Sequence, residues 1–115
     1  MHIETQSYDG VILLKPLQDK LDYRNAERFK KQLLNLVKKG YNTIFINLGQ
    51  LNLIDSSGIG TFISCWKMLG TDVKLNFYAL QPHIKKAFIS AHLNEVFDIY
   101  ESEEDVISSI KSRIK

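Results

Sequence analysis

The sequence is poor in the residues that cross-link a chain or bind metals. It contains a single cysteine, Cys65, which excludes a disulfide bond within the chain and a cysteine-based zinc or cluster site. Its three histidines, His2, His83 and His92, follow none of the spacings typical of metal ligands. These absences predict a protein of the reducing cytoplasm whose core is held by neither a disulfide nor a metal.

Long apolar runs and a large excess of charge are also missing. No segment approaches the roughly 20 apolar residues of a membrane-spanning helix, and Met1–Gly10 carries Glu4 and Asp9 in place of the apolar run of a signal peptide. The net charge of +2 is not the strongly basic signature of a nucleic-acid-binding protein. The 115 residues, 44% of them hydrophobic, therefore predict one soluble domain that neither inserts into membranes nor binds nucleic acid.

Segments rich in β-branched and aromatic residues alternate with segments of helical periodicity. The predicted strands are Met1–Ser7, Val11–Lys15, Thr43–Leu48, Asp72–Tyr78 and Val96–Tyr100. The predicted helices are Leu21–Lys39, Gly58–Leu69, one that begins at Pro82 and one that begins after Ser102. We expect Asp22 to cap the first helix, and Ser102 with Asp105 to form a capping-box-like start of the last.

The order of these elements, ββαβαβαβα, defines the fold class. Alternation of strand, helix and strand favours parallel pairing with right-handed crossovers. The first two strands have no helix between them and are expected to form an antiparallel hairpin. We therefore predict an α/β domain with a mixed, mostly parallel sheet, an antiparallel N-terminal hairpin and about four helices.

The densest cluster of small and polar residues lies between the third strand and the second helix, in residues 51–60. Sites in α/β sheets gather at the carboxyl ends of strands. Asp55, Ser56 and Ser57 are all good helix N-cap residues, so simple capping is one interpretation. Capping leaves unexplained two glycines in a first helical turn, Gly58 and Gly60, each of which costs about 1 kcal/mol relative to alanine. Small residues leave amides and hydroxyls accessible to a phosphorylating enzyme or a closely docked partner.

The same segment fails to match the common catalytic loops. It lacks the lysine of GxxxxGK[ST] and the third glycine of GxGxxG, and only half of GxSxG surrounds Ser56. Asp55 alone supplies too few carboxylates for a magnesium site of the DxD type. We therefore expect no catalytic activity and no cofactor. A small hydrolase or nucleotide-binding protein that uses Asp55–Gly60 is one alternative.

Ile54–Gly60, with the sequence IDSSGIG, resembles the D-S-[ST]-G-[LIV]-G signature of the anti-sigma factor antagonists in the STAS domain family. Leu21–Ala26 is similar to the family's L-D-x-x-x-A, and the predicted element order is that of the family. The resemblance covers nearly the whole chain. It implies a single STAS domain over residues 1–115 and a cytoplasmic bacterial protein of transcription regulation.

The resemblance also implies a mechanism and a set of site residues. Ser56 falls at the phosphorylated serine, and the implied partner-binding residues are Asp22, Asp55, Ser57, Gly58, Ile59 and Gly60. The implied partner is a serine kinase that also acts as an anti-sigma factor. It binds the unphosphorylated protein and releases it on phosphorylation, and a serine phosphatase restores the first state. A STAS scaffold subunit without phosphorylation, in a lipid-transport or stress-signalling complex, is the other alternative.

Overall fold

The computed structural model describes residues 2–8 and 10–114, so Met1 of the predicted first strand lies outside the described residues. The strands are β1 Ile3–Tyr8, β2 Val11–Pro16, β3 Lys20–Leu21, β4 Thr43–Asn47, β5 Leu53–Ile54, β6 Lys74–Tyr78 and β7 Asp98–Tyr100. The α-helices are α1 Ala26–Lys38, α2 Ser56–Leu69, α3 Pro82–Ser90 and α4 Glu103–Ile114, with a 3₁₀ turn at Leu93–Glu95.

Five strands form the main sheet, in the order β1-β2-β4-β6-β7. β1 and β2 pair antiparallel, from Ile3 opposite Pro16 to Tyr8 opposite Val11. The pairs β2–β4, β4–β6 and β6–β7 are all parallel. The predicted mixed sheet with an antiparallel N-terminal hairpin is confirmed.

The central strand β4 has a buried side chain on each face of the sheet. Ile44 and Ile46 belong to the larger part of the core, where α1, α2 and α3 contribute the buried side chains Phe29, Leu33, Phe62, Ile84 and Phe88. The rings of Phe62, Phe77 and Phe88 touch one another, with centroids 4.8 to 5.8 Å apart. Phe45 points to the opposite face and packs with Val106 and Ile110 of α4. The sheet therefore carries three helices on one face and one on the other.

Two helices begin at residues other than those predicted. α1 begins at Ala26 instead of Leu21, and its N-cap residue is Asn25, so the prediction that Asp22 caps this helix is wrong. The reason is that β3 holds Lys20–Leu21 in an extended conformation, and the chain needs a turn before the helix can start. α2 begins at Ser56, two residues earlier than predicted, because Asp55 caps it.

The sequence patterns missed β3 and β5, which pair in parallel as a two-stranded sheet of their own. Strands of two residues are too short to show an alternating pattern. β6 and β7 each begin two residues later than predicted. The predicted start of the last helix is confirmed, because the Ser102 hydroxyl accepts a hydrogen bond of 3.2 Å from the Asp105 amide.

Candidate functional site

Ser56 is the first residue of α2, and it is exposed. Asp55, the residue before it, caps the helix: its Oδ1 accepts a hydrogen bond of 3.0 Å from the Gly58 amide. Ser57 follows in the first turn and is half-buried. The amino end of a helix carries free amides and the positive end of the helix dipole, both of which favour negative charge. The Ser56 hydroxyl therefore lies where a phosphate would be well tolerated by the fold.

The second carboxylate oxygen of Asp55 reaches a different part of the chain. Oδ2 accepts a hydrogen bond of 3.1 Å from the Tyr23 amide, in the turn that precedes α1. The main chain adds a further link, since the Asp55 amide donates to the Leu21 carbonyl at 3.2 Å. Asp55 thus joins the start of α2 to the turn of residues 22–25.

Gly58 allows these two segments to lie against each other. A Cβ at this position would be 2.6 Å from the Leu21 carbonyl oxygen and 2.7 Å from Cγ1 of Ile54. Gly60, in the same turn of α2, is exposed, and a Cβ there would meet no atom within 4 Å. Packing accounts for Gly58 and leaves Gly60 without a structural reason.

Asp22 is buried, with only 8% of its side chain exposed. Its carboxylate accepts hydrogen bonds from Nη2 of Arg24 at 2.7 Å and from Nε at 3.2 Å, as well as from the Arg24 amide at 3.0 Å. The Arg24 side chain lowers the pKa of the carboxyl group below its usual value. Asn25 completes the turn, accepting from the Asp22 amide and donating to the Lys20 carbonyl. Asp22 therefore organises the turn and presents little of its carboxylate to solvent.

Tyr23 is a residue of this site that no sequence pattern marks. The residue is 75% exposed, more than any other exposed large hydrophobic residue in the part of the chain that the structure describes. The Arg24 guanidinium lies 5.9 Å from the centroid of the ring. A single tyrosine in a loop carries no sequence signal, and its position beside Ser56 depends on a hydrogen bond between residues 32 apart.

A groove of about 330 Å³ runs between the beginnings of α1 and α2. One wall comes from α1 and the turn before it, and the other comes from α2. The lining residues are Tyr23, Ala26, Glu27 and Lys30 on the first wall and Ser57, Gly60, Thr61 and Ser64 on the second. The Thr61 hydroxyl donates to the Ser57 carbonyl at 3.1 Å within α2. The lining of the groove is thus mostly small and polar.

The polar side chains near Ser56 are largely engaged in hydrogen bonds within the fold. The Asp55 carboxylate is engaged by two amides, and His83 is hydrogen-bonded through Nε2 to the Asn52 carbonyl at 2.5 Å. Across residues 2–8 and 10–114, no group of three or more His, Cys, Asp or Glu side chains is arranged to hold a metal ion. None of the helices in that same part of the chain has the length and apolar character needed to cross a bilayer.

Comparison with known proteins identifies a protein family that this chain matches over most of its length. A family model described as the STAS domain matches residues 2–106. BtrV of Bordetella bronchiseptica, named as a candidate anti-sigma factor antagonist, is 26% identical over 115 residues, which cover 99% of this chain and 98% of that protein.

Solved structures show the same fold. A candidate anti-sigma factor antagonist from Thermotoga maritima superposes with a TM-score of 0.84 at 23% identity, covering 95% of this chain and 94% of that one. The phosphorylated form of SpoIIAA, a Bacillus cell fate determinant, gives a TM-score of 0.69 at 19% identity, covering 95% and 99%.

Proposed function

Since the chain belongs to the STAS domain family, we propose that it is an anti-sigma factor antagonist controlled by phosphorylation of Ser56. In its unphosphorylated form the protein binds a serine kinase that is also an anti-sigma factor, and the bound sigma factor is released. Phosphorylation of Ser56 by that kinase ends the binding, and a serine phosphatase restores it. The protein acts in the cytoplasm and catalyses no reaction itself.

The observation that carries this proposal is the position of Ser56. The residue occupies the first turn of α2, it is exposed, and it follows a capping aspartate. The relative BtrV is named as a candidate anti-sigma factor antagonist, and the structural neighbour SpoIIAA has been solved in a phosphorylated form. We propose both properties for this chain, with Ser56 as the phosphorylated residue.

The physical effect of phosphorylation differs between the fold and the complex. A phosphate adds about −1.5 to −2 charges and three acceptor oxygens. In the free protein the helix amides and solvent accommodate this charge. In a complex the phosphate would have to be desolvated beside the Asp55 carboxylate, with no room for its volume at a close contact. We therefore expect the fold to persist and the binding to be lost.

The test begins with identification of the kinase by its activity. The purified protein is incubated with ATP and fractions of a cell extract, and the fraction that adds phosphate is purified further. Intact-mass spectrometry should show one added phosphate on the wild type and on Ser57→Ala, and none on Ser56→Ala. Ser57→Ala is the matched control because it removes the neighbouring hydroxyl in the same turn.

The second part of the test measures binding by calorimetry. The purified kinase should bind the unphosphorylated protein at least about 100-fold more tightly than the phosphorylated protein, a difference of about 2.7 kcal/mol. Phosphate that remains on Ser56→Ala, or equal affinity for both forms, would contradict the proposal. A partner that binds stably while no fraction phosphorylates the protein would favour the scaffold alternative.

A further inference from the structure

We infer that Tyr23 is the aromatic anchor of the partner-binding surface, and that Asp55 is the positioning residue that holds it beside Ser56. The inference rests on the proposed function and extends it, since it adds a residue outside the signature segment. It also assigns Asp55 a role through Tyr23 instead of a direct contact with the partner.

The exposure of Tyr23 is the first observation. This aromatic residue is three-quarters exposed, and its amide is hydrogen-bonded to Asp55, the residue before the candidate phosphorylation site. Tyrosine and arginine are two of the residue types that most often dominate binding energy in protein interfaces. Here they are adjacent, with the Arg24 guanidinium near the face of the ring.

The rigidity of the turn is the second observation. The Asp22 carbonyl accepts hydrogen bonds from the amides of Asn25 at 3.1 Å and Ala26 at 2.9 Å. The Asp22 carboxylate binds Arg24 through both its side chain and its amide. The exposed ring of Tyr23 is therefore attached to a backbone that is already fixed, so ordering of the backbone takes little free energy away from binding.

The third observation is the link through Asp55. One carboxylate accepts from Gly58 in α2 and from Tyr23 in the turn, at 3.0 and 3.1 Å. An asparagine in this place has a single acceptor oxygen and would leave one of the two amides opposite an NH₂ group. The carboxylate thus fixes the Tyr23 backbone relative to Ser56, and one partner covers both residues.

The surroundings define the chemistry of the occupant, which is the proposed kinase. Its surface must contain an apolar cleft for the Tyr23 ring and a ridge that enters the groove between α1 and α2. Gly60 lies in this groove with no atom within 4 Å of the place of a Cβ, so main chain of the partner can approach α2 closely.

The link is tested on the free protein by amide hydrogen exchange of Asp55→Asn. Asparagine is as good an N-cap as aspartate, so the Gly58 amide should keep its protection. The Tyr23 amide should exchange faster than in the wild type, while the amide of Ile46 in the buried strand β4 should be unchanged as the measure of global stability. Unchanged exchange at Tyr23 would overturn the positioning role of Asp55.

The anchor is tested with the kinase purified by its activity on Ser56. Tyr23→Ala should weaken binding of the unphosphorylated protein about tenfold or more. Met68→Ala is the matched control. Met68 is also exposed, but it lies about 18 Å from Ser56 along the axis of α2. A Tyr23→Ala protein that binds as tightly as the wild type would overturn the anchor and leave the proposed function intact.

A double-mutant cycle separates the two roles of Asp55. If Asp55 acts through Tyr23, then Asp55→Asn should weaken binding in the wild type and have little further effect in Tyr23→Ala. Equal losses in both backgrounds would mean that the carboxylate itself contacts the partner. Failure to find any kinase for Ser56 would overturn the proposed function and this inference with it.

Discussion

Gly58 and Gly60 lie two residues apart in the first turns of α2, and their environments are opposite. At Gly58 a methyl group would collide with the Leu21 carbonyl oxygen, which is held in the β3–β5 pairing. At Gly60 the same methyl group would meet only solvent. The fold therefore requires the first glycine, and the second is available for close approach of another molecule.

We expect alanine to have opposite effects at these two positions. Gly58→Ala should reduce the free energy of unfolding by about 1–3 kcal/mol, because α2 must move away from β3. Gly60→Ala should raise it by up to about 1 kcal/mol, because alanine favours the helix. Urea denaturation followed by circular dichroism measures both, and each variant serves as the control for the other. Equal effects at the two positions would contradict the assigned contacts.

Part of the site could be predicted from single residues. A carboxylate, two hydroxyls and two glycines between a strand and a helix mark residues 55–60 in the sequence. Residue type offers Asp55, Ser56 and Ser57 alike as caps, and only the structure shows that Asp55 is the one used. The buried position of Asp22 could not be predicted, since it depends on an arginine two residues later folding back onto it. Tyr23 could not be predicted either, because exposure next to Ser56 is a property of the assembled fold.

At the scale of elements, the turn of residues 22–25 connects β3 to α1 and is held by the Asp22–Arg24 ion pair. The arginine side chain lowers the pKa of Asp22 below the value of about 3.8 expected for the unfolded chain. A carboxyl group whose pKa is lowered by folding stabilises the fold above its unfolded pKa, and the contribution disappears as the pH falls through the folded pKa.

We therefore expect Asp22→Asn to unfold more easily than the wild type at neutral pH. The difference should be constant down to about pH 4 and then shrink as the pH is lowered further. Chemical denaturation at a series of pH values measures it. In an Arg24→Gln background, without the guanidinium, the substitution should show much less of this pH dependence. A difference that grew on acidification would contradict the ion pair.

At the scale of the whole molecule, the order of the main elements could be predicted because their patterns are long. Residues 43–48 (TIFINL) are mostly apolar and rich in β-forming residues, and the middle of β4 is buried on both faces as such a segment indicates. The pairing of β3 with β5 could not be predicted, since Lys20 and Leu53 become neighbours only through the rest of the fold. The largest errors at the helix starts lie next to these two strands.

The reactivity of the single cysteine, Cys65, measures unfolding of the whole molecule. Cys65 is fully buried in the core, and burial raises the pKa of its thiol to about 11. Since the thiolate is the reactive form, we expect the folded protein to react very slowly with a disulfide reagent at neutral pH. Adding urea should accelerate the reaction in proportion to the unfolded fraction. Rapid labelling without denaturant would contradict the burial of Cys65.

The hydrogen bond between Tyr23 and Asp55 joins residues that are 32 apart in sequence, and the β3–β5 pairing beside it joins residues that are 33 apart. A fragment that lacks either segment cannot hold Tyr23 beside Ser56. A chain that has not yet folded cannot do so either. A partner that recognises both residues would therefore measure the concentration of correctly folded molecules and ignore nascent or damaged ones. Binding of the proposed partner would then depend on correct folding as well as on the phosphate at Ser56.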